Sequence, residues 1–366
     1  MSTICEHVTG SDNREFWTRM NARINQERIP FSGSLALTHQ CNLHCAHCYA
    51  NENPATEAYR RELTTEQWQS ILIQIREEGC LFLLLTGGEP LMRPDFAEIY
   101  AFAKRKGFLV TVFSNGMLVD DAILDLFQEL PPRMVEISIY GARKETHERI
   151  TGVCDSYHWT LTAVDQLLAR GISVGLKTVL MKSNLHELKS METIATDRNL
   201  RFRIDSAIFP TLQGDPAPLE MRLSPRQAVN AEFSNPERVR EWTDYYQRHR
   251  NLQNSHRLYI CGAGIRTFHI DPLGVLYPCL MVRDHAYSLL QGPFSTGWST
   301  EIARITEETL PDDSPCRACP IRMLCGYCPG FFQLENGSVR VPSAYLCQTG
   351  KLRYETIISH LEENVS

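Results

Sequence analysis

The stretch Leu35-Ala36-Leu37-Thr38-His39-Gln40-Cys41-Asn42-Leu43-His44-Cys45-Ala46-His47-Cys48-Tyr49 joins a short apolar run to three cysteines at C-x3-C-x2-C spacing. The run reads as a short strand, and the loop that ends it can present three thiolates to one metal centre. A 4Fe–4S cluster takes four cysteines when fully ligated, so three leave one iron open to a small chelating molecule. Cysteine at short spacing with interleaved histidine, here His44 and His47, is also how zinc is bound.

Working outward, 366 residues are enough to bury a large core and to form two domains. A net charge of −6 provides no basic footprint for nucleic acid. No apolar run is long enough to span a membrane, and Met1–His7 lacks the charged and apolar regions of a secretory signal. Thirteen cysteines in such a chain suggest metal rather than disulfides, and hence a reducing cytoplasm.

Residues 1–33 read as a helical cap, with an amphipathic pattern from Phe16 to Ile24. Residues 34–209 alternate between strands and helices. The strands are Leu35–Thr38, Leu81–Leu85, Leu109–Phe113, Met134–Ser138, Val174–Met181 and Arg201–Asp205. The helices begin at a Thr64/Gln67 capping box running to Glu78 and continue with Pro94–Lys106, Asp120–Leu130, Trp159–Arg170 and Glu187–Thr196. The uninterrupted apolar run Leu81–Leu85 predicts a strand buried on both faces. Six strands interleaved with helices predict an α/β parallel sheet with right-handed crossovers, too few for a closed eight-unit barrel. Residues 210–258 form a bridge, a proline-bearing loop followed by a charged helix over Ser224–His249. Residues 259–350 hold seven of the cysteines, and 351–366 close the chain as a helix.

A second motif, Thr86-Gly87-Gly88-Glu89-Pro90, follows the second strand. Glycines there let a ligand approach the backbone closely, and the carboxylate can accept from an ammonium. Ser114-Asn115-Gly116 ends the third strand and Ser138-Ile139-Tyr140-Gly141 the fourth, on the face where barrel enzymes place their sites. The three-cysteine loop followed by Gly87-Gly88-Glu89-Pro90 resembles the signature of the radical SAM superfamily. The resemblance implies a partial (β/α)6 TIM-like barrel whose open iron holds the amino and carboxylate groups of S-adenosylmethionine. It places Gly87, Gly88, Glu89 and Pro90 at the methionyl amine and Tyr49 near the adenine. Ser114, Asn115 and Ser138 become candidate cofactor contacts, with Arg149 the nearest candidate for a carboxylate clamp. Lys177 and Asp205, on later strands, either face the substrate or pair with each other.

The later cysteines form another pattern. Cys261, Gly274 and Cys279 fit C-x12-G-x4-C around a hairpin with a Pro/Gly turn, Phe268–Tyr277. Cys316, Cys319, Cys325, Cys328 and Cys347 follow. The arrangement resembles the SPASM extension, a small cysteine-rich domain that binds auxiliary iron–sulfur clusters. By that resemblance Cys316, Cys319, Cys325 and Cys347 ligate a distal 4Fe–4S cluster, and Cys261, Cys279 and Cys328 a proximal one. Two residues, Gly326-Tyr327, separate the fifth and sixth cysteines of the extension where the family usually has three. No cysteine lies between Gly262 and His269 to complete the proximal set, leaving it an open iron or a ligand other than cysteine. Paired C-x2-C is also a zinc-ribbon arrangement. Of the remaining cysteines, Cys80 reads as a core residue, Cys5 as part of a frayed end, and Cys154 as a loop thiol. In related peptide epimerases a lone cysteine donates hydrogen, the role open to Cys154.

The resemblance implies a metal-binding oxidoreductase that forms a 5′-deoxyadenosyl radical and modifies a precursor peptide oxidatively, as in natural-product maturation. It implies a reductant such as flavodoxin or ferredoxin. Residues 1–33 leave no room for a leader-peptide recognition domain, a role open to a separate protein. Tetrapyrrole modification, peptide epimerisation and a non-enzymatic electron-transfer scaffold are the alternatives.

Overall fold

The computed structural model describes residues 10–50, 62–250 and 255–363; Cys5 lies outside them. Six parallel strands, β1 (Ser32–Ala36), β2 (Phe82–Thr86), β3 (Leu109–Ser114), β4 (Met134–Ser138), β5 (Val174–Val179) and β6 (Arg201–Asp205), pair in sequence order. Each is joined to the next by helical crossovers. The result is a six-unit partial barrel, open at the β6 edge.

The Thr64/Gln67 capping box forms, and its helix spans Thr65–Glu77. Trp68, Ile71, Leu72 and Ile75 on that helix pack under the sheet with Leu35, Leu83, Leu85, Val110, Val112, Val135 and Ile137. Cys80 joins this core, as expected of a small apolar side chain. The strand β2 differs from the expectation of burial on both faces. Leu83 and Leu85 are buried under the helices, but Phe82, Leu84 and Thr86 are only half-buried. Those three face the lumen, which an incomplete barrel does not fill with side chains.

Two further elements depart from the expected pattern. Lys144–Thr151 is an additional helix between β4 and the helix Ser156–Ala169. The charged segment after residue 224 is two helices, Pro225–Glu232 and Pro236–His249. Asn235 caps the second through the Glu237 N–H at 2.8 Å, with Pro236 in its first turn.

The cysteine-rich portion continues the same sheet. β7 (Thr267–Ile270) pairs in parallel with β1, and β8 (Val275–Tyr277) and β9 (Tyr287–Ser288) follow antiparallel. The hairpin thus walls the lumen beside the strand that leads into the cysteine loop. A second core of Leu258, Tyr259, Val282, Ile305, Leu310, Phe331, Phe332 and Leu346 holds the remaining turns. The last helix, Ala344–Glu363, takes in Cys347. Among the described residues no helix is long and apolar enough to cross a membrane.

Candidate active site

The cysteine loop is gripped from both flanks. On one side Gly88 N–H donates to Thr38 O and Glu89 N–H to Gln40 O, each at 2.7 Å. A Cβ on Gly87 would stand 2.4 Å from Thr38 O, and one on Gly88 2.2 Å from Gln40 O. Gly87 also has φ +145°. The close approach that requires glycine is therefore made by the chain's own loop stem. On the other side His44 N–H donates to Thr151 O at 2.8 Å and Ala46 N–H to Ile150 O at 3.1 Å. Beneath the stem, Arg93 donates to Leu37 O and Leu63 O and forks onto Asp95. Glu62 accepts from Thr38 Oγ1 and His39 N–H.

Within the loop, burial pushes the Cys41 thiol up to about 11, and the Glu89 and Cys48 charges add to the rise. Burial also raises Cys45 and Cys48, with the other two loop thiols adding at Cys45. The three sulfurs thus feel one another across a small space. Leu43 N–H donates to Cys41 Sγ at 3.4 Å, the kind of bond that stabilises a sulfur carrying negative charge. Among the described residues no three His, Cys, Asp or Glu side chains close around a single ion.

Glu89 is the acid of the site and is 1% exposed. Its carboxylate accepts from Leu91 N–H at 3.2 Å, Ser114 Oγ at 2.9 Å and Asn115 N–H at 2.7 Å. Burial lifts its pKa to about 7; the three hydrogen bonds and the Lys177 charge oppose that rise. Asn115 Nδ2 in turn donates to Asn42 Oδ1 at 2.7 Å. One chain of bonds therefore runs from the Gly-Gly-Glu-Pro turn, through the end of β3, into the cysteine loop.

Ser138 at the end of β4 bonds to the buried Tyr140 hydroxyl. Tyr140 meets the His47 ring edge-on at 4.6 Å. Burial raises Tyr140 and pulls His47 down to about 4, keeping His47 neutral near pH 7. Tyr49 packs on Phe209 at 5.6 Å, and burial raises its phenol to about 12. Lys177 Nζ sits 3.0 Å from the Phe113 ring centroid. Loss of hydration draws Lys177 down to about 7, against the pull of Glu136. Lys177 does not pair with Asp205, which is exposed and accepts from Ala207 N–H. Instead Arg203 takes Glu136 at 2.9 Å. Cys154 is exposed, beside the Lys144–Asp155 pair, and Arg149 reaches Ser183 O.

The C-terminal thiols fall into two groups that act on one another electrostatically. Cys261 and Cys328 act on Cys279, which burial raises to about 12. Cys316, Cys319 and Cys347 act on Cys325, also raised by burial to about 12. Phe331 N–H donates to Cys328 Sγ at 3.4 Å. Asn42, Tyr140 and Arg93 were not singled out from the sequence. Tyr140 had a local signal, lying in the turn that follows β4. Asn42 and Arg93 act across the fold and had none.

Residues 35–194 match the profile of the Radical SAM superfamily. An AdoMet-dependent heme synthase of Methanosarcina barkeri is 24% identical over 80% of this chain and 89% of its own length. The antilisterial bacteriocin subtilosin biosynthesis protein AlbA of Bacillus subtilis is 25% identical over 83% of this chain and 68% of its own. The fold is similar to Streptococcus suis SuiB bound to precursor peptide SuiA, with a TM-score of 0.71 and 15% identity over 94% of this chain and 84% of that one. The segment that matches the Radical SAM superfamily runs from β1 to the helix before β6 and contains both the three-cysteine loop and the buried Glu89.

Proposed function

We propose that the chain is a radical S-adenosylmethionine enzyme that modifies a peptide. The observation that carries this reading is the bonded path from Glu89 through Asn115 to Asn42, which couples a buried acid to a three-thiol loop. In this reading Cys41, Cys45 and Cys48 hold a 4Fe–4S cluster with one open iron. When bound, cluster and cofactor supply a 5′-deoxyadenosyl radical able to take hydrogen from an unactivated carbon. The protein's part is to bind, orient and exclude water. Glu89 accepts the cofactor's ammonium, held in place by Ser114 and Asn115. Gly87, Gly88 and Pro90 keep that turn against the loop. Tyr49 lies against the adenine, and Ser138 bonds the carboxylate or ribose. Lys177 and Asp205 face the substrate from the lumen.

Cys316, Cys319, Cys325 and Cys347 hold a distal auxiliary cluster, and Cys261, Cys279 and Cys328 a proximal one. Clusters bound there would supply electron acceptance, which suits an oxidative modification. A peptide substrate is supported by the likeness to the subtilosin biosynthesis protein. A flavodoxin or ferredoxin serves as the reductant in the cytoplasm.

The deciding experiment is anaerobic reconstitution with dithionite and S-adenosylmethionine. We expect 5′-deoxyadenosine to form, and a co-expressed precursor peptide to lose mass in steps of two hydrogens. No 5′-deoxyadenosine would leave the chain an electron-transfer scaffold. A second reading, a tetrapyrrole-modifying enzyme, is favoured by the heme synthase relative, which aligns over nearly its whole length. Incubation with iron coproporphyrin III separates the two: a mass change in the porphyrin, with none in any peptide, supports the second.

A further inference from the structure

Arg322 lies between Cys319 and Cys325 and is 3% exposed. Its backbone N–H donates to Cys319 O at 3.3 Å, and its carbonyl accepts the Cys325 thiol at 3.1 Å. Nη1 donates to Ser255 O at 2.8 Å and Nη2 to Arg257 O at 2.9 Å. These bonds fix the guanidinium over the face of Tyr327, 4.0 Å from its ring centroid. The third donor, Nε–H, is buried and meets no acceptor. The Tyr327 hydroxyl is buried as well; the Arg322 guanidinium beside it can only donate, so the phenol O–H meets no acceptor. No carboxylate pairs with Arg322 among the described residues. A buried donor left unpaired is costly, and here two stand together near Cys316. Cys316 acts electrostatically on both side chains, and Cys325 on Tyr327.

We propose that Arg322 Nε–H and Tyr327 O–H donate hydrogen bonds to the sulfurs of the distal cluster and so raise its reduction potential. This rests on the assignment of Cys316, Cys319, Cys325 and Cys347 to that cluster. Both are positioning residues, not ligands. Donors aimed at sulfur stabilise the more negative, reduced cluster, and hydrogen bonding is one of the terms that set such potentials. The fixed positive charge of Arg322 acts in the same direction.

The test is an EPR-monitored redox titration of the anaerobically reconstituted full-length chain. The distal signal is the one lost when Cys316, Cys319, Cys325 and Cys347 are all replaced by alanine. Arg322→Lys keeps the charge and removes Nε–H; Tyr327→Phe keeps the ring and removes the hydroxyl. We expect the reduced-to-oxidised ratio at the wild-type midpoint to fall about tenfold in Arg322→Lys, a downward shift of about 59 mV for one electron, and in the same direction in Tyr327→Phe. Should Arg322→Lys fail to fold, Tyr327→Phe decides alone. Wild-type potentials in fully iron-loaded variants overturn the proposal and leave the cluster assignment standing. If the four-alanine variant loses no iron, the assignment itself fails.

Discussion

At the scale of one residue, Glu89 makes the site sensitive to pH. Its carboxyl is raised from the ordinary 4.5 to about 7, chiefly by burial. A raised acid stabilises the fold fully below its unfolded value, and that stability is lost as pH rises through the folded value. Cofactor-free, cluster-loaded protein should therefore lose about 3 kcal/mol between pH 4.5 and 7.5, the free-energy equivalent of that shift. Glu89→Gln should remove this slope in chemical denaturation; an unchanged slope would place its cause elsewhere. An arriving ammonium favours the ionised carboxylate, so S-adenosylmethionine should bind more tightly as pH rises from 6 to 8. The gain is up to about tenfold per unit below the pKa. Glu89→Gln should weaken binding about 10- to 100-fold, the worth of a hydrogen bond to a charged group, and calorimetry reads both effects. A pH-independent affinity would remove Glu89 from the ammonium site.

Among elements, the junction between β1 and the turn after β2 carries the most constraint. Gly87→Ala should cost about 1–3 kcal/mol for its backbone conformation alone, and the collision with Thr38 O should push the cysteine loop outward. Lower stability together with lower iron content would be the signature; full iron retention would mean the stem yields without moving the loop. Arg93, with its side chain 9% exposed, ties Leu37, Leu63 and Asp95 together. Arg93→Ala leaves two carbonyls without this donor and Asp95 with the Thr65 hydroxyl as its remaining side-chain partner, and should cost about 3–5 kcal/mol, read by denaturant midpoint. The sequence made some of this legible and hid the rest. Met134–Ser138, Arg201–Asp205 and the Thr64/Gln67 box lie where the pattern put them, because their signals are local. Ser234-Asn235-Pro236 was a legible stop and start, masked by the even run of charge around it. Lys144–Thr151 buries only Thr146, His147, Ile150 and Thr151, too little apolar periodicity to read as a helix. The spacing of the cysteines could be read because one cluster constrains them. What converges on the first set, Asn42 bonded to Asn115 and Arg93 to Leu37 and Leu63, depends on contacts between distant segments.

Across the whole molecule, iron content tests the three thiol sets together. Alanine replacement of Cys41, Cys45 and Cys48, or of the four distal cysteines, should each remove about four irons per chain, one cubane's worth. Stoichiometric zinc in the wild-type protein, with no iron lost on replacing the distal four, would turn the C-terminal set into a structural zinc site. The sheet that carries these sets has an unusual order of assembly. Ser34 and His269, neighbours across the β1–β7 pairing, lie 235 positions apart in the chain. At a synthesis rate of roughly 5–20 residues per second, the outer edge of β1 waits roughly ten to fifty seconds for its partner to leave the ribosome. Through that interval a bare strand edge, a standing invitation to mispair, emerges beside three reactive thiols. The nascent chain is thus at its most vulnerable where the finished protein is most tightly held, and iron delivered early finds those thiols before β7 exists to cover the edge.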